Sequence, residues 1–132
     1  MPEQARSRRG PLIVWLAVMA AILIGSLVPE SEAPGPDGLM PQDWNLFHVP
    51  AYAALAVTSA WLLQARWRLS MPAAVGISLV FATVLGGAIE WIQPLVGRTE
   101  SLLDFGLNEF GVVLGAGLVA AYQISRQPAQ CR

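Results

Sequence analysis

The sequence predicts an all-α fold, a four-helix transmembrane bundle with both termini in the cytoplasm. Three observations lead there. The chain has 132 residues, of which 55% are hydrophobic and only 13% charged, whereas soluble domains run near 25% charged. The deficit falls in blocks, leaving four apolar runs of the length that a hydrocarbon core of about 30 Å demands, about 20 helical residues. The arginines flank those runs unevenly, which fixes an orientation. Strands are excluded because open β edges cannot face lipid.

The first run spans residues 11–28, from Pro11 to Val28, with Pro29 as its boundary. Pro11 suits the first turn of a helix, where its missing N–H is not needed. The basic leader (Arg6, Arg8, Arg9) gives this run a rival reading as a signal peptide. An apolar stretch of about 18 residues exceeds the usual 7–15-residue signal core, so a retained anchor is expected. Residues 28–45, VPESEAPGPDGLMPQDWN, form a loop dominated by Pro, Gly and acids. The second run covers 46–65. The third covers 71–93, with Pro72 in its first turn and Pro94 ending it, and the fourth covers 102–124. No repeat or second domain is visible, so residues 1–132 are read as one membrane domain.

Seven of the eight arginines fall on one set of span ends: Arg6, Arg8, Arg9, Arg66, Arg68, Arg126 and Arg132. The positive-inside rule places those ends in the cytoplasm. Trp15, Trp61, Trp67 and Tyr122 fall near the inner boundary and Trp44 and Trp91 near the outer one, as an aromatic belt requires. The expected location is the inner (plasma) membrane, crossed several times. A net charge of −1 without a basic stripe argues against nucleic acid as a partner. The single cysteine, Cys131, has no internal partner for a disulfide.

Every unusual polar residue then converges on the outer third of the bundle. Asp43, Asn45 and His48 open the second run, Glu90 and Gln93 close the third, Arg98 lies in the outer turn, and Ser101, Asp104 and Asn108 open the fourth. A charge near the bilayer centre costs about 2.5–3.5 kcal/mol by insertion scales, so such residues face protein and pair with one another. Asp104, Asn108, Gly111 and Gly115 form one helical stripe whose two glycines permit close approach of another helix. His48 and Tyr52 share a face, as do Glu90 and Gln93, with Gly86 and Gly87 a turn below. Glu109 points off the stripe, toward the first helix or the head groups.

The pattern Glu90-x-x-Gln93-x-x-x-Gly97-Arg98-x-x-Ser101-x-x-Asp104-x-x-x-Asn108-x-x-Gly111-x-x-x-Gly115 resembles the second half of the VanZ-like membrane proteins. His48-x-x-x-Tyr52 is similar to that family's first motif. There the family carries an Asp-Lys pair, with Asp four residues before the His. This chain has Asp43 five before His48, Trp44 at the basic position and Asn45 three before. The resemblance covers about residues 43–115. It implies a cell-envelope protein related to glycopeptide (teicoplanin) resistance and leaves the reaction, if any, undefined.

Several chemistries compete for these residues. Histidine is the side chain whose ordinary range suits proton transfer near neutrality, and His48 with Glu90 and Asp104 forms the set suited to acid/base catalysis. Arg98 beside the start of the fourth helix is an anion site, and the anion at that depth is a phosphate-bearing lipid head group or an antibiotic-related ligand. Gln93, Asn108 and Tyr52 are the remaining expected ligand contacts. The structural alternatives are a capping box at Ser101 and Asp104, an Arg98 pinned to Glu90 or Asp104, and interhelical hydrogen bonds from Gln93 and Asn108. Glu90 has no capping role in this reading. A metal site at His48, Glu90 and Asp104 lacks paired-ligand spacing, so neither metal nor cofactor is expected. Membrane lipids are the expected partners. A purely structural bundle and an enzyme acting on a lipid head group are the alternatives to binding.

Overall fold

A computed structural model describes residues 2–28, 45–98 and 101–126, with side chains for 9–28, 47–98 and 101–126. Asp43, Trp44, the loop before them and Cys131 lie outside the described residues, as does the side chain of Asn45. Four helices follow in order: α1 (Pro2–Leu27), α2 (Asn45–Trp67), α3 (Met71–Ile92), which runs on into a 3-10 turn (Gln93–Val96), and α4 (Leu102–Arg126). Among the described residues there is no strand.

Two expected boundaries move. Helix α1 begins at Pro2, so Pro11 lies inside it and not in its first turn. Glu3, Gln4, Ala5 and Arg6 are good helix formers, and Pro2 supplies the N-terminal proline. Helix α3 ends at Ile92, because Pro94 offers no N–H to extend it and the chain tightens into the 3-10 turn. Gly97 closes that turn with φ 77° and returns its N–H to Gln93 and Pro94, a backbone conformation that suits glycine.

Among the described residues three helices are long and apolar enough to cross a membrane, over Arg9–Leu27, Met71–Val96 and Leu102–Arg126. Helix α2, expected as the second of four spans, is not among these, its first two residues lying outside those whose side chains are described. It packs against all three other helices, most extensively against α4.

The register fixes the directions. Gly111 of α4 meets Val49 of α2, and Gly115 meets Ala53. Advancing four residues together makes α2 and α4 parallel. On the other side Thr83 pairs with Glu109 and Ser101 with Glu90, so α3 and α4 are antiparallel. Trp15 of α1 donates its indole N–H to Ser59 Oγ of α2 at 2.9 Å and meets the ring of Phe81 of α3 at a tilt of 40°. It ties α1 to the bundle, where an interfacial belt residue was expected. Trp61, Trp67, Trp91 and Tyr122 do face outward.

The burial pattern is that of a lipid-facing molecule. Val80, Val84, Leu102 and Val113 are exposed, Leu102 by 92%. Tyr52, Gln93, Asn108 and Ser78 are buried. Large apolar side chains face outward, while polar ones share the interior with an apolar core of Ile22, Leu55, Ile89 and Val112, an arrangement that a hydrocarbon solvent allows.

Candidate functional site

The expected polar residues share one end of the bundle, and the backbone explains how they get there. At Gly111 and Gly115 an added Cβ would lie on the carbonyl oxygens of Val49 and Ala53, so only glycine lets α2 come this close. The parallel contact sets the first turn of α2 beside the second turn of α4. His48 Nδ1 then sits 2.7 Å from Asn108 Oδ1. Tyr52, one turn deeper, stacks on His48 with ring centroids 6.4 Å apart and planes inclined by 7°. Its ring lies against Gly86 of α3, where a Cβ would stand 3.3 Å from Tyr52 Cε1 and 3.6 Å from Asn108 Nδ2. The stripe Asp104, Asn108, Gly111 and Gly115 is buried along its length.

Glu90 does cap a helix, contrary to expectation. Its Oε2 accepts the backbone N–H of Ser101 at 3.0 Å, just before α4 begins. The spacing within one helix hides this role, because the capped residue lies on the next one. Ser101 Oγ in turn accepts the N–H of Asp104 at 3.3 Å. The box is therefore split between two carboxylates, and Asp104 makes only its backbone half. One residue, Ser101, bridges Glu90 and Asp104.

Arg98 turns toward α1. Its Nη1 donates to the carbonyls of Gly25 at 2.9 Å and Val28 at 3.3 Å, groups that the end of α1 leaves without helical partners. It acts first as a staple between the third-to-fourth turn and α1, and it lies within electrostatic reach of Glu90, as do Asp104 and His48. Gln93 makes a similar link, donating Nε2 to the Ser26 carbonyl at 3.2 Å. Gln93 and Glu90 thus reach different neighbours, α1 and α4, although they are three residues apart.

Glu109, which the sequence left between the first helix and the head groups, faces α3. Thr83 donates its hydroxyl to Glu109 Oε2 at 2.7 Å. The antiparallel register set by Glu90 and Ser101 would have found this pair, since 83 and 109 fall at matching heights once 90 and 101 are aligned.

After these bonds are made, six buried side-chain atoms still have no partner among the described residues: Tyr52 Oη, Glu90 Oε1, Gln93 Oε1, Asp104 Oδ1, Asn108 Nδ2 and Glu109 Oε1. Buried polar atoms are almost always satisfied, so six in one region require an explanation. A cleft of about 170 Å³ between α1 and α2, lined by Ile22, Gly25, Ser26, Phe47, His48 and Tyr52, borders this region at Tyr52 and at Gly25 and Ser26, whose carbonyls Arg98 and Gln93 hold.

Fold and site together define a helical membrane protein with a polar interior at one end. Compared with protein-family models, curated proteins and solved structures, the chain matches none.

Proposed function

We propose that this chain is a VanZ-like protein of the bacterial plasma membrane that binds a phosphate-bearing lipid head group in its outer leaflet. In this reading all four helices cross the bilayer, both termini are cytoplasmic, and the His48 end faces outward. The nine-position motif from Glu90 to Gly115 and the side taken by seven of eight arginines support it.

The observation that carries the binding role is the group of six unpartnered buried polar atoms. Leaving a donor or acceptor unmade costs about 1–3 kcal/mol, and a ligand that satisfies several of them recovers that cost. The cleft between α1 and α2 gives a head group a lateral entrance while its acyl chains stay in lipid. Arg98, already fixed on α1, supplies the cation for a phosphate, and its Nε and Nη2 carry three further N–H donors.

Binding is favoured over acid/base catalysis because what the buried region lacks is hydrogen-bond partners for six atoms, a need that a bound ligand meets and a proton transfer does not. Native mass spectrometry of the protein released from membranes in mild detergent tests the proposal. Phospholipid adducts are expected on the wild type and fewer on Arg98→Lys and His48→Ala. A wild-type protein that is folded and lipid-free under conditions that preserve other lipid complexes would overturn it.

A further inference from the structure

The unpartnered atoms have a sign. Four of the six are acceptors, the oxygens of Glu90, Gln93, Asp104 and Glu109, and only Tyr52 Oη and Asn108 Nδ2 offer protons. A phosphate brings acceptors alone, so it answers Arg98 and leaves the carboxylates unanswered. The two carboxylates on either side of Ser101 are each about nine-tenths buried, each has one oxygen without a partner, and they lie within electrostatic reach of each other. Two carboxylates held together in a low dielectric stay charged together only with a cation between them. Asn108, with no exposed surface, and Gln93, 1% exposed, are likewise unsatisfied at one atom. They are independent of the acids and need a ligand that both donates and accepts. Arg98 is not that cation in the bonded sense, because among the described residues its hydrogen bonds go to the Gly25 and Val28 carbonyls and to neither carboxylate.

We infer that the site takes a zwitterionic head group, a primary ammonium joined to a phosphodiester, with the ammonium at Glu90 and Asp104 and the phosphate at Arg98. This rests on the lipid-binding reading above and narrows its ligand to the phosphoethanolamine type. Three features fit. Arg98 lies three residues before Ser101, so cation and acid pair are neighbours along the chain as well as within electrostatic reach. An –NH₃⁺ group offers three protons, and charge-assisted bonds to carboxylates are about twice as strong as neutral ones. The cleft wall is mostly apolar, which suits the glycerol and acyl portion that follows the phosphate.

The test uses the full chain in nanodiscs or mild detergent, with phosphatidylethanolamine, phosphatidylglycerol and phosphatidylcholine of identical acyl chains competing in native mass spectrometry. Phosphatidylethanolamine is expected to win by about tenfold or more, the ratio that one charge-assisted hydrogen bond supplies. Phosphatidylcholine should lose because its trimethylammonium has no N–H, and phosphatidylglycerol because it has no cation. Glu90→Gln and, separately, Asp104→Asn should each reduce the preference while lipid remains bound. Soluble phosphoethanolamine should displace the lipid, and soluble phosphoglycerol should not, which assigns selectivity to the head group. Equal retention of the three lipids by the wild type, or a preference unchanged in both variants, would overturn the ammonium assignment and leave lipid binding intact. Retention of no lipid at all would overturn both.

Discussion

His48 and Asn108 stand sixty positions apart in the chain and 2.7 Å apart in the bundle, ring nitrogen Nδ1 against amide oxygen Oδ1. With Oδ1 as acceptor, Nδ1 carries the ring proton, and Nε2 of the neutral imidazole is an acceptor. The bond depends on the parallel approach of α2 and α4, which depends on Gly111 and Gly115. Helix packing and site assembly are therefore one event.

That coupling is measurable. In thermal unfolding in detergent, His48→Ala and Asn108→Ala are each expected to destabilise by about 1–3 kcal/mol, the cost of a buried partner left alone. The double variant should fall short of the sum by about 0.5 kcal/mol or more, as groups in direct contact do. Strict additivity would mean that the pair does not act together.

The glycines give a sharper contrast. Gly111→Ala and Gly115→Ala place a methyl on the Val49 and Ala53 carbonyls, and overpacking of this kind costs about 1–3 kcal/mol. Gly106 and Gly117 lie on the same helix with nothing near their Cβ positions, so alanine there is expected to stabilise by about 0.5–1 kcal/mol. If all four alanines behave alike, the close α2–α4 contact is not what these glycines serve.

How much of this was legible in the sequence follows from where each interaction lies. The helices, their order and the stripe Asp104–Asn108–Gly111–Gly115 were readable because hydrophobic runs and three-to-four-residue spacing are local signals. So was the pairing of His48 with Tyr52 on one face. What escaped were relations between helices. Glu90 looked uncapped because Ser101 is on the next helix. The bonds of Arg98 to the Gly25 and Val28 carbonyls were out of sight because those groups lie at the far end of α1. Glu109 had no visible partner until α3 and α4 were in register. That α2 packs against all three other helices was likewise out of sight, because composition does not say which helix neighbours which.

Orientation is a separate matter, tested by reporter fusions. A periplasm-active reporter placed after Asp37 is expected to give signal, and the same reporter after Arg68 or Arg126 is expected to give none, since the arginine-rich ends are expected in the cytoplasm. Signal at Arg68 would invert the bundle and put the polar site in the cytoplasmic leaflet.

Arg98 separates anchoring from recognition. A lysine ammonium also donates to carbonyls at a helix C-terminus, so Arg98→Lys should keep α1 attached, with unfolding in detergent within about 0.5 kcal/mol of wild type. It lacks the planar fork that grips a phosphate, so lipid retention should fall. Arg98→Ala should lose both. Equal losses of stability in Lys and Ala would reduce Arg98 to a staple.

Glu90 does two things that one pair of substitutions separates. Its Oε2 holds the Ser101 N–H at the entrance to α4, while Oε1 is unsatisfied. Glu90→Gln keeps a carbonyl oxygen for Ser101 and removes the charge, whereas Glu90→Ala removes the acceptor and leaves a half-buried N–H alone. Loss of a helix N-terminal acceptor typically costs about 1 kcal/mol, and an orphaned buried donor about 1–3 kcal/mol. The alanine variant is therefore expected to melt well below the glutamine variant, and hydrogen exchange should show the first turn of α4 opening in the alanine protein alone. Because the proposed ligand needs the charge, both variants should lose lipid preference while only one loses stability. If Glu90→Gln were as unstable as Glu90→Ala, the carboxylate charge would be holding the bundle together, and Glu90 would be structural first.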